Sequence, residues 1–347
     1  MYGDGGAVMF RYVECIDAGS EYCPCYLAEH GECIICSQLK GKEFCDCLNW
    51  SGTCIYQEYL WNNEKSKKPR QFVKCRILSK QYIREDVFIL KIKVPKSMAR
   101  ILDNIGAYVF LRKNNDDVVF STPISVAESD PLAGVIKVMI KVNGIKTKAI
   151  DECSDFISVK GPYLNGIQGQ RFIRDVNNGK MLFLIRGTAG ISALMAAKKC
   201  IKNNEIDVLI DKGRHEKNFL EDYFSKAGCA VNRLSFLDEK GLSDEGKYKI
   251  KEYIKNKQYD VALSAGNDGF HSQIINYINK IDENIKFATV NNSIICCGEG
   301  ICGSCTLNGI SNSSIKSCKQ QYNPMELFLK AEDCNKIHCK KDEECKL

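Results

Sequence analysis

Met181-Leu182-Phe183-Leu184-Ile185-Arg186-Gly187-Thr188-Ala189-Gly190-Ile191-Ser192 decides the fold. Its opening apolar run is too short for a buried helix and suits a strand covered on both faces. A glycine turn follows, and then an alanine-rich stretch from Ile191 to about Lys202 that predicts a helix. The same alternation continues downstream. Residues 206–210 predict a strand and 219–226 a helix. Residues 259–264 predict another buried strand, followed by Gly266 and a helix carrying Ile274, Ile275, Tyr277 and Ile278, and residues 287–290 close the set. Repeated βα units imply a doubly wound parallel sheet with its site at the carboxyl ends of the strands. Gly187-Thr188-Ala189-Gly190 could seat a pyrophosphate at a helix N-terminus, although any βα turn needs a glycine and the full G-x-G-x-x-G is absent.

Upstream of this unit, residues 72–162 read as strands and turns. Ile136, Val138, Ile140 and Val142 share one strand face, Lys137 and Lys141 the other, while Asp116-Asp117 and Asn143-Gly144 supply turns. The expected architecture is multidomain: an antiparallel β-barrel (72–175), then an α/β doubly wound domain (176–292). Cys-rich segments flank the two, at 1–60 and 293–322, with a cysteine-containing tail at 323–347. Lys65, Lys67, Lys68 and Arg70 form a basic run at 61–71 without aromatic neighbours, which reads as a solvated linker and excludes a nucleic-acid surface.

The chain has 347 residues, 44% hydrophobic and 27% charged, a globular composition. Net charge is +6, yet residues 1–60 hold three basic and nine acidic side chains. That acidic segment is expected to dock on the basic remainder or on a basic partner. The start lacks a basic region followed by an apolar stretch, and no apolar run reaches the ~18 residues of a membrane span. A cytoplasmic protein with reduced thiols and no membrane insertion is the expectation.

Those thiols carry the chemistry. Twenty cysteines are gathered mainly into three clusters. Cys297, Cys302, Cys305 and Cys318 have the spacing C-x4-C-x2-C-x12-C, the plant-type ferredoxin pattern for a [2Fe–2S] cluster. Gly298, Gly300 and Gly303 let the loop wrap closely and aim amides at sulfur. Structural zinc is the alternative, but zinc sites usually present two short-spaced pairs. Cys15, Cys23, Cys25, Cys33, Cys36, Cys45, Cys47 and Cys54 could fill two four-thiolate sites, holding a [4Fe–4S] cluster, structural zinc, or one of each. This segment has few periodic apolar residues and is expected to fold as a separate, metal-dependent unit. His30 reads as a surface residue. Cys334, Cys339, Cys345 and His338 make a Cys3His set in the tail, at loose spacing.

Barrel, nucleotide-binding domain and C-terminal C-x4-C-x2-C…C, in that order, resemble the electron-transfer subunit of dihydroorotate dehydrogenase. That subunit belongs to the ferredoxin–NADP reductase superfamily, and the small subunits of sulfide dehydrogenase and of bifurcating ferredoxin:NADP oxidoreductase are similar. The resemblance covers residues 72–320 and implies FAD on the barrel, NAD(P) on the α/β domain, and a cluster passing single electrons to a partner subunit or acceptor protein. The flavin motif R-P-x-S falls on Thr122-Pro123-Ile124-Ser125, with threonine in place of the arginine that neutralises the pyrophosphate. The second flavin element falls on Gly144-Ile145-Lys146-Thr147, where Lys146 or Lys148 would supply charge. Gly161-Pro162-Tyr163-Leu164-Asn165-Gly166 resembles the segment after the barrel. On the nucleotide side the resemblance implies Gly187, Thr188, Gly190 and Gly266, the last in Ala265-Gly266-Asn267 where the family has C-G-P. Asp211, Lys212 and Arg214 follow the second strand, where the ribose would lie. The alternative to an electron-transfer subunit is a cofactor-poor scaffold or redox sensor that keeps the fold and binds metal through its cysteines.

Overall fold

The computed structural model describes residues 14–45, 53–114, 117–213, 218–308 and 314–329. Cys47, Arg214 and the tail cysteines therefore lie outside the described residues. The N-terminal cysteine module contains a short strand β1 (Glu14–Cys15) and two helices, α1 (Tyr26–Glu29) and α2 (Ile55–Trp61).

Strands β2 (Phe72–Arg84), β3 (Val87–Lys93), β4 (Tyr108–Arg112), β5 (Thr122–Asp130), β6 (Val135–Lys141) and β7 (Phe156–Tyr163) close into a six-stranded antiparallel barrel, ordered β2-β3-β6-β5-β4-β7. Helices α3 (Lys96–Leu102) and α4 (Ile145–Asp151) complete it. The alternation in β6 is realised: Ile136, Val138 and Ile140 fill the barrel core. Met139, on the opposite face, is buried too, in the apolar seam that Ile105 and Ala127 share with Ile191 of the α/β domain.

That domain comprises β8 (Ile167–Gln168), α5 (Gln170–Arg174), β9 (Lys180–Ile185), α6 (Gly190–Cys200), β10 (Glu205–Asp211), α7 (Glu221–Lys226), β11 (Ala230–Leu234), the hairpin β12 (Leu237–Asp238) and β13 (Gly241–Leu242), α8 (Asp244–Asn256), β14 (Val261–Ala265), α9 (Asp268–Asn279) and β15 (Lys286–Val290). The sheet order is β11-β10-β9-β14-β15-β8, parallel except for β8, so the topological switch lies between β9 and β14. Met181 to Ile185 are fully buried, as a strand covered on both faces requires. Strands β8, β11, β12 and β13 and helices α5 and α8 lie outside the sequence expectation. Edge strand β11 has exposed Asn232 and Arg233 in place of an apolar run, and α8 buries only Gly246, Ile250 and Ile254 beneath a charged face. Among the described residues no helix is long and apolar enough to cross a membrane.

The C-terminal segment adds a hairpin, β16 (Thr306–Asn308) with β17 (Ser314–Lys316), then β18 (Gln320–Gln321) and α10 (Pro324–Phe328). Strand β18 pairs antiparallel with β1, setting Cys15 opposite Gln320, and Ile16 N–H donates to the Lys319 carbonyl at 2.8 Å. Asn165 ties this segment to the barrel exit, donating to the Ser317 and Gln320 carbonyls.

Residues 61–71, expected as a solvated linker, are largely exposed, but they are held to the module and buried at Arg70. Ser66 N–H donates to Glu29, Lys67 N–H to the Pro24 carbonyl, and Lys67 pairs with Glu58, so the stretch straps back onto the module. Arg70, the last cation of the run, is buried. It forms a bidentate pair with Asp17 (2.6 and 3.1 Å), reaches Glu299 at 3.3 Å, and stacks over the Tyr22 and Tyr163 rings. Fully buried Lys319 meets the same two carboxylates at 2.5 and 3.2 Å, and Tyr163 donates to Glu299 at 2.8 Å. The acidic module thus docks on the body of its own chain, further held by Glu32–Lys316 at 2.6 Å. Docking on the basic remainder is one of the two arrangements expected for this acidic segment. Burial alone would raise the Asp17 pKa, but Lys319 and Arg70 outweigh it and hold the carboxyl below its usual range.

Truncating Arg70 strands Asp17 and Glu299. Arg70→Ala is expected to cost about 3–5 kcal/mol in denaturant unfolding, against less than about 1 kcal/mol for the half-exposed Lys67→Ala. His271 gives a pH test. It is buried between β14 and β15, with Nδ1 2.8 Å from Ser264 Oγ, and burial pushes its pKa down to about 4. Only the unfolded chain gains this proton between the ordinary value near 6.5 and about 4. The stability is full above that window and falls through it on acidification. In His271→Asn the loss across the window is expected to be smaller by about 3 kcal/mol, as denaturation at both pH values would read.

Candidate functional site

Three features adjoin the barrel: the C-terminal cysteine loop, a mostly apolar pocket, and a polar cleft reaching the α/β domain. The cysteine loop leaves β15 and folds over the barrel end, where Tyr108, Phe110 and Tyr163 pack with Ile295, Cys305 and Cys318. Gly298 has φ +73°, and a Cβ there would lie 2.5 Å from the Tyr163 ring, so both conformation and space demand glycine.

The four predicted thiols come together. Cys318 hydrogen-bonds Cys297 and Cys305, and Cys302 hydrogen-bonds Cys297. The Cys318 thiol, and then backbone N–H groups of Cys302 and Glu299, pull the Cys297 pKa down to about 3 against its burial. The same Cys318 bond brings Cys305 to about 6, while both partners push Cys318 up, so Cys318 is the thiol that hydrogen-bonds two thiolates. Glu299 N–H lies 3.3 Å from Cys297 Sγ. The Tyr108 hydroxyl is buried without a hydrogen-bond partner beside Cys318, whose charge adds to burial in raising its pKa. An orphaned donor next to converging thiolates fits an acceptor-rich inorganic cluster. Among the described residues no three cysteine, histidine or carboxylate side chains are arranged to hold a single metal ion. A binuclear cluster spreads its four thiolates over two irons.

A pocket of ≈ 540 Å³ opens between the barrel and this loop, walled by Phe72, Phe110, Val118, Val119, Ile294 and Ile295. Thr122 and Pro123 of the flavin-type motif line one side, Cys296 and Cys297 another, and Lys146 and Lys160 supply positive charge. Ser121 Oγ is buried at this pocket with no hydrogen-bond partner. Apolar walls, a stranded hydroxyl and two ammonium groups suit a planar ring system with polar edges. Lys160 was not found from the sequence. It donates to the Cys297 carbonyl at 3.1 Å, so one side chain serves both pocket and cysteine loop. Burial holds its pKa below the usual lysine value, despite Glu299 and Cys297. Its only signal in the sequence is its place in the alternation of β7, opposite the core face of Ile157 and Val159.

The other flavin-motif residues are locally engaged. Ile124 pairs with Val109 in the β4–β5 ladder, and Ser125 Oγ meets Ser192 Oγ of α6 at 2.7 Å. Thr147 Oγ1 caps α4, accepting from Asn143 and Gly144 N–H, while Gly144 stands in open space.

The polar cleft, ≈ 490 Å³, lies at the carboxyl ends of β9 and β10 and is lined by Gly187, Thr188, Arg186, Asp211, Lys212 and Asn143, among others. Gly187 and Thr188 therefore stand where a nucleotide would be met. Gly190 and Gly266 pack instead: a Cβ on Gly190 would lie 2.4 Å from Ile185, and one on Gly266 2.3 Å from the Phe270 ring. Asp211 is engaged by Gly213 N–H (2.6 Å), Phe236 N–H (3.3 Å) and Arg186 (3.6 Å).

Comparison with known proteins agrees with this geometry. Residues 74–166, most of the barrel, match the family model described as the oxidoreductase FAD-binding domain. The structure of an NADH-dependent reduced ferredoxin–NADP oxidoreductase, studied for flavin-based electron bifurcation, aligns with a TM-score of 0.57 at 18% identity. It covers 77% of this chain and 97% of that one, a larger share than barrel and α/β domain together occupy. Ferredoxin–NADP+ reductase from Plasmodium falciparum aligns at 0.47 and 15% identity, covering 63% of this chain and 96% of that one. The ferredoxin reductase of carbazole 1,9a-dioxygenase aligns at 0.48 and 15%, covering 63% and 69%. No curated protein sequence matches the chain. Barrel and α/β domain together have the ferredoxin–NADP reductase fold.

Gly298→Ala is expected to push the cysteine loop off Tyr163 and cost more than about 1 kcal/mol through its positive φ alone. Gly144→Ala, extended and unobstructed, is expected to cost under about 1 kcal/mol. Chemical denaturation of the two variants makes the comparison.

Proposed function

We propose that the chain is an electron-transfer subunit of a flavin-dependent oxidoreductase. It would move electrons between NAD(P)H, FAD and a [2Fe–2S] cluster at Cys297, Cys302, Cys305 and Cys318, to or from a partner subunit or acceptor protein. The observation carrying this reading is that one pocket is lined both by Thr122-Pro123 of the barrel and by Cys296-Cys297 of the cysteine loop. In such an arrangement FAD supplies the conversion of a two-electron hydride into two single electrons. The chain's own part is placement and electrostatics. Phe72, Phe110 and Ile295 exclude water from the ring site, Ser121 offers it a hydrogen bond, and Lys146 and Lys160 supply the positive charge that favours an electron-rich ring. Pro123, Ile124 and Ser125 run along its edge, with Gly144, Lys146 and Thr147 toward the pyrophosphate. Gly187 and Thr188 would meet the pyridine nucleotide, with Gly190 and Gly266 shaping the strand ends behind them. Lys160, bonded to the Cys297 carbonyl, joins ring site and cluster electrostatically.

The scaffold alternative draws on the engaged states of Ser125, Thr147 and Asp211, whose polar atoms already have protein partners. Colour separates the two readings. Anaerobically purified protein is expected to show a flavin spectrum and a reduced-state EPR signal that Cys302→Ser abolishes or strongly alters. Colourless protein supports the scaffold. Thr122→Arg, restoring a fork for two phosphates, is expected to tighten FAD by about 1.5–3 kcal/mol in titration.

A further inference from the structure

Among the described residues, the seven N-terminal thiols do not form one undivided group. Cys15, Cys23, Cys25 and Cys33 line a single small, enclosed pocket, roofed by Leu27 and Ile55. Cys45 and Cys54 are exposed, and Cys54 is occupied in capping α2 by accepting from Gln57 N–H. Cys36 donates its own amide to Cys33 Sγ at 3.4 Å.

Amides are also aimed at the pocket's other sulfurs: Asp17 N–H at Cys15, Gly19 N–H at Cys23, and Ile35 N–H at Cys33. Such N–H···S bonds stabilise thiolate and tune a cluster's potential. Lys319 supplies the buried counter-charge, acting on both Cys15 and Cys25. It directly follows Cys318, so the same residue stands between the two thiol groups.

We propose that Cys15, Cys23, Cys25 and Cys33 hold a [4Fe–4S] cluster, placed beside the C-terminal centre so that the two exchange single electrons. Iron is favoured over zinc by layout. Four sulfurs around one zinc crowd together, whereas each thiolate of a cubane binds its own iron and the four surround a space. These four line one enclosed space, which a cubane with one iron per thiolate would fill. Proximity follows from the β1–β18 pairing. Cys15 lies opposite Gln320, two residues from Cys318, so the two Cα atoms stand within about 12 Å by strand geometry. In the exchange one centre is oxidised by one electron as the other is reduced by one, and no proton moves. The four-thiolate site stands by itself; its pairing with a second centre rests on the reading of Cys297, Cys302, Cys305 and Cys318 given above.

Iron, acid-labile sulfide and zinc counted in the anaerobically purified full chain test this directly. About six irons per chain are expected, about four after Cys302→Ser and about two after Cys33→Ala. About two irons with one zinc in the unaltered chain, or iron unchanged by Cys33→Ala, would overturn the proposal and leave the C-terminal cluster standing. About four irons, untouched by Cys302→Ser and lost with Cys33→Ala, would overturn the C-terminal reading, and with it the pairing, while keeping this site. If Cys33→Ala does not fold, low-temperature EPR of the dithionite-reduced parent decides. Two signals with different relaxation and mutual broadening support the pair; one signal surviving at higher temperature rejects it.

Discussion

Two carboxylates and two cations, Asp17, Glu299, Arg70 and Lys319, meet in a site closed to solvent, and the placing of every cysteine cluster in the described chain depends on that meeting. Each charge alone would be prohibitively costly to bury. Together they are balanced two against two, with the Tyr163 hydroxyl and the Pro162 carbonyl taking up remaining hydrogen-bonding capacity. The four come from the N-terminal module, the strap before the barrel, the cysteine loop and the segment after Cys318. No one of these can shift without leaving a charge unpaired, so electrostatics fixes positions that the small apolar cluster of Cys23, Ala28, Cys33, Leu39 and Ile55 would hold only loosely.

The same economy of contacts shapes the cofactor region. Lys160 reaches from the barrel wall to the Cys297 carbonyl, Tyr163 packs on Gly298 and bonds Glu299, and Asn165 secures the return of the chain at Ser317 and Gln320. Barrel strand β7 and the five residues after it thus support the pocket wall, the cysteine loop and the module docked behind it. Buried polar side chains that each satisfy several backbone groups make such a junction stiff, and a stiff junction keeps redox centres at fixed separation.

Much of this was legible in the sequence because it is local. The apolar run of Met181 to Ile185, the glycine turn after it and the alternation in β6 each encode their own environment, and the spacing of Cys297, Cys302, Cys305 and Cys318 needs no distant information. The ion network was not legible, since Asp17 and Lys319 are 302 positions apart and nothing near Arg70 distinguishes it from the half-exposed Lys67. A basic run reads as solvated until the carboxylates that bury one of its members are known. Strand β11 escaped notice for the opposite reason: as an edge strand it carries polar side chains, so its pattern lacks the apolar signal. Of the motif glycines, Gly190 and Gly266 also answer to packing against Ile185 and Phe270, a role sequence cannot separate from ligand contact.

The pairing of β1 with β18 has a consequence for biosynthesis. The N-terminal cysteines line a pocket whose counter-charge, Lys319, lies 302 positions after Asp17 and is made that much later, together with strand β18. At about 5–20 residues per second the interval is roughly 15–60 s. Throughout it the N-terminal thiols lack their final surroundings, open to oxidation or to adventitious metal. Assembly of this end of the molecule therefore waits until Lys319 and β18 have been made.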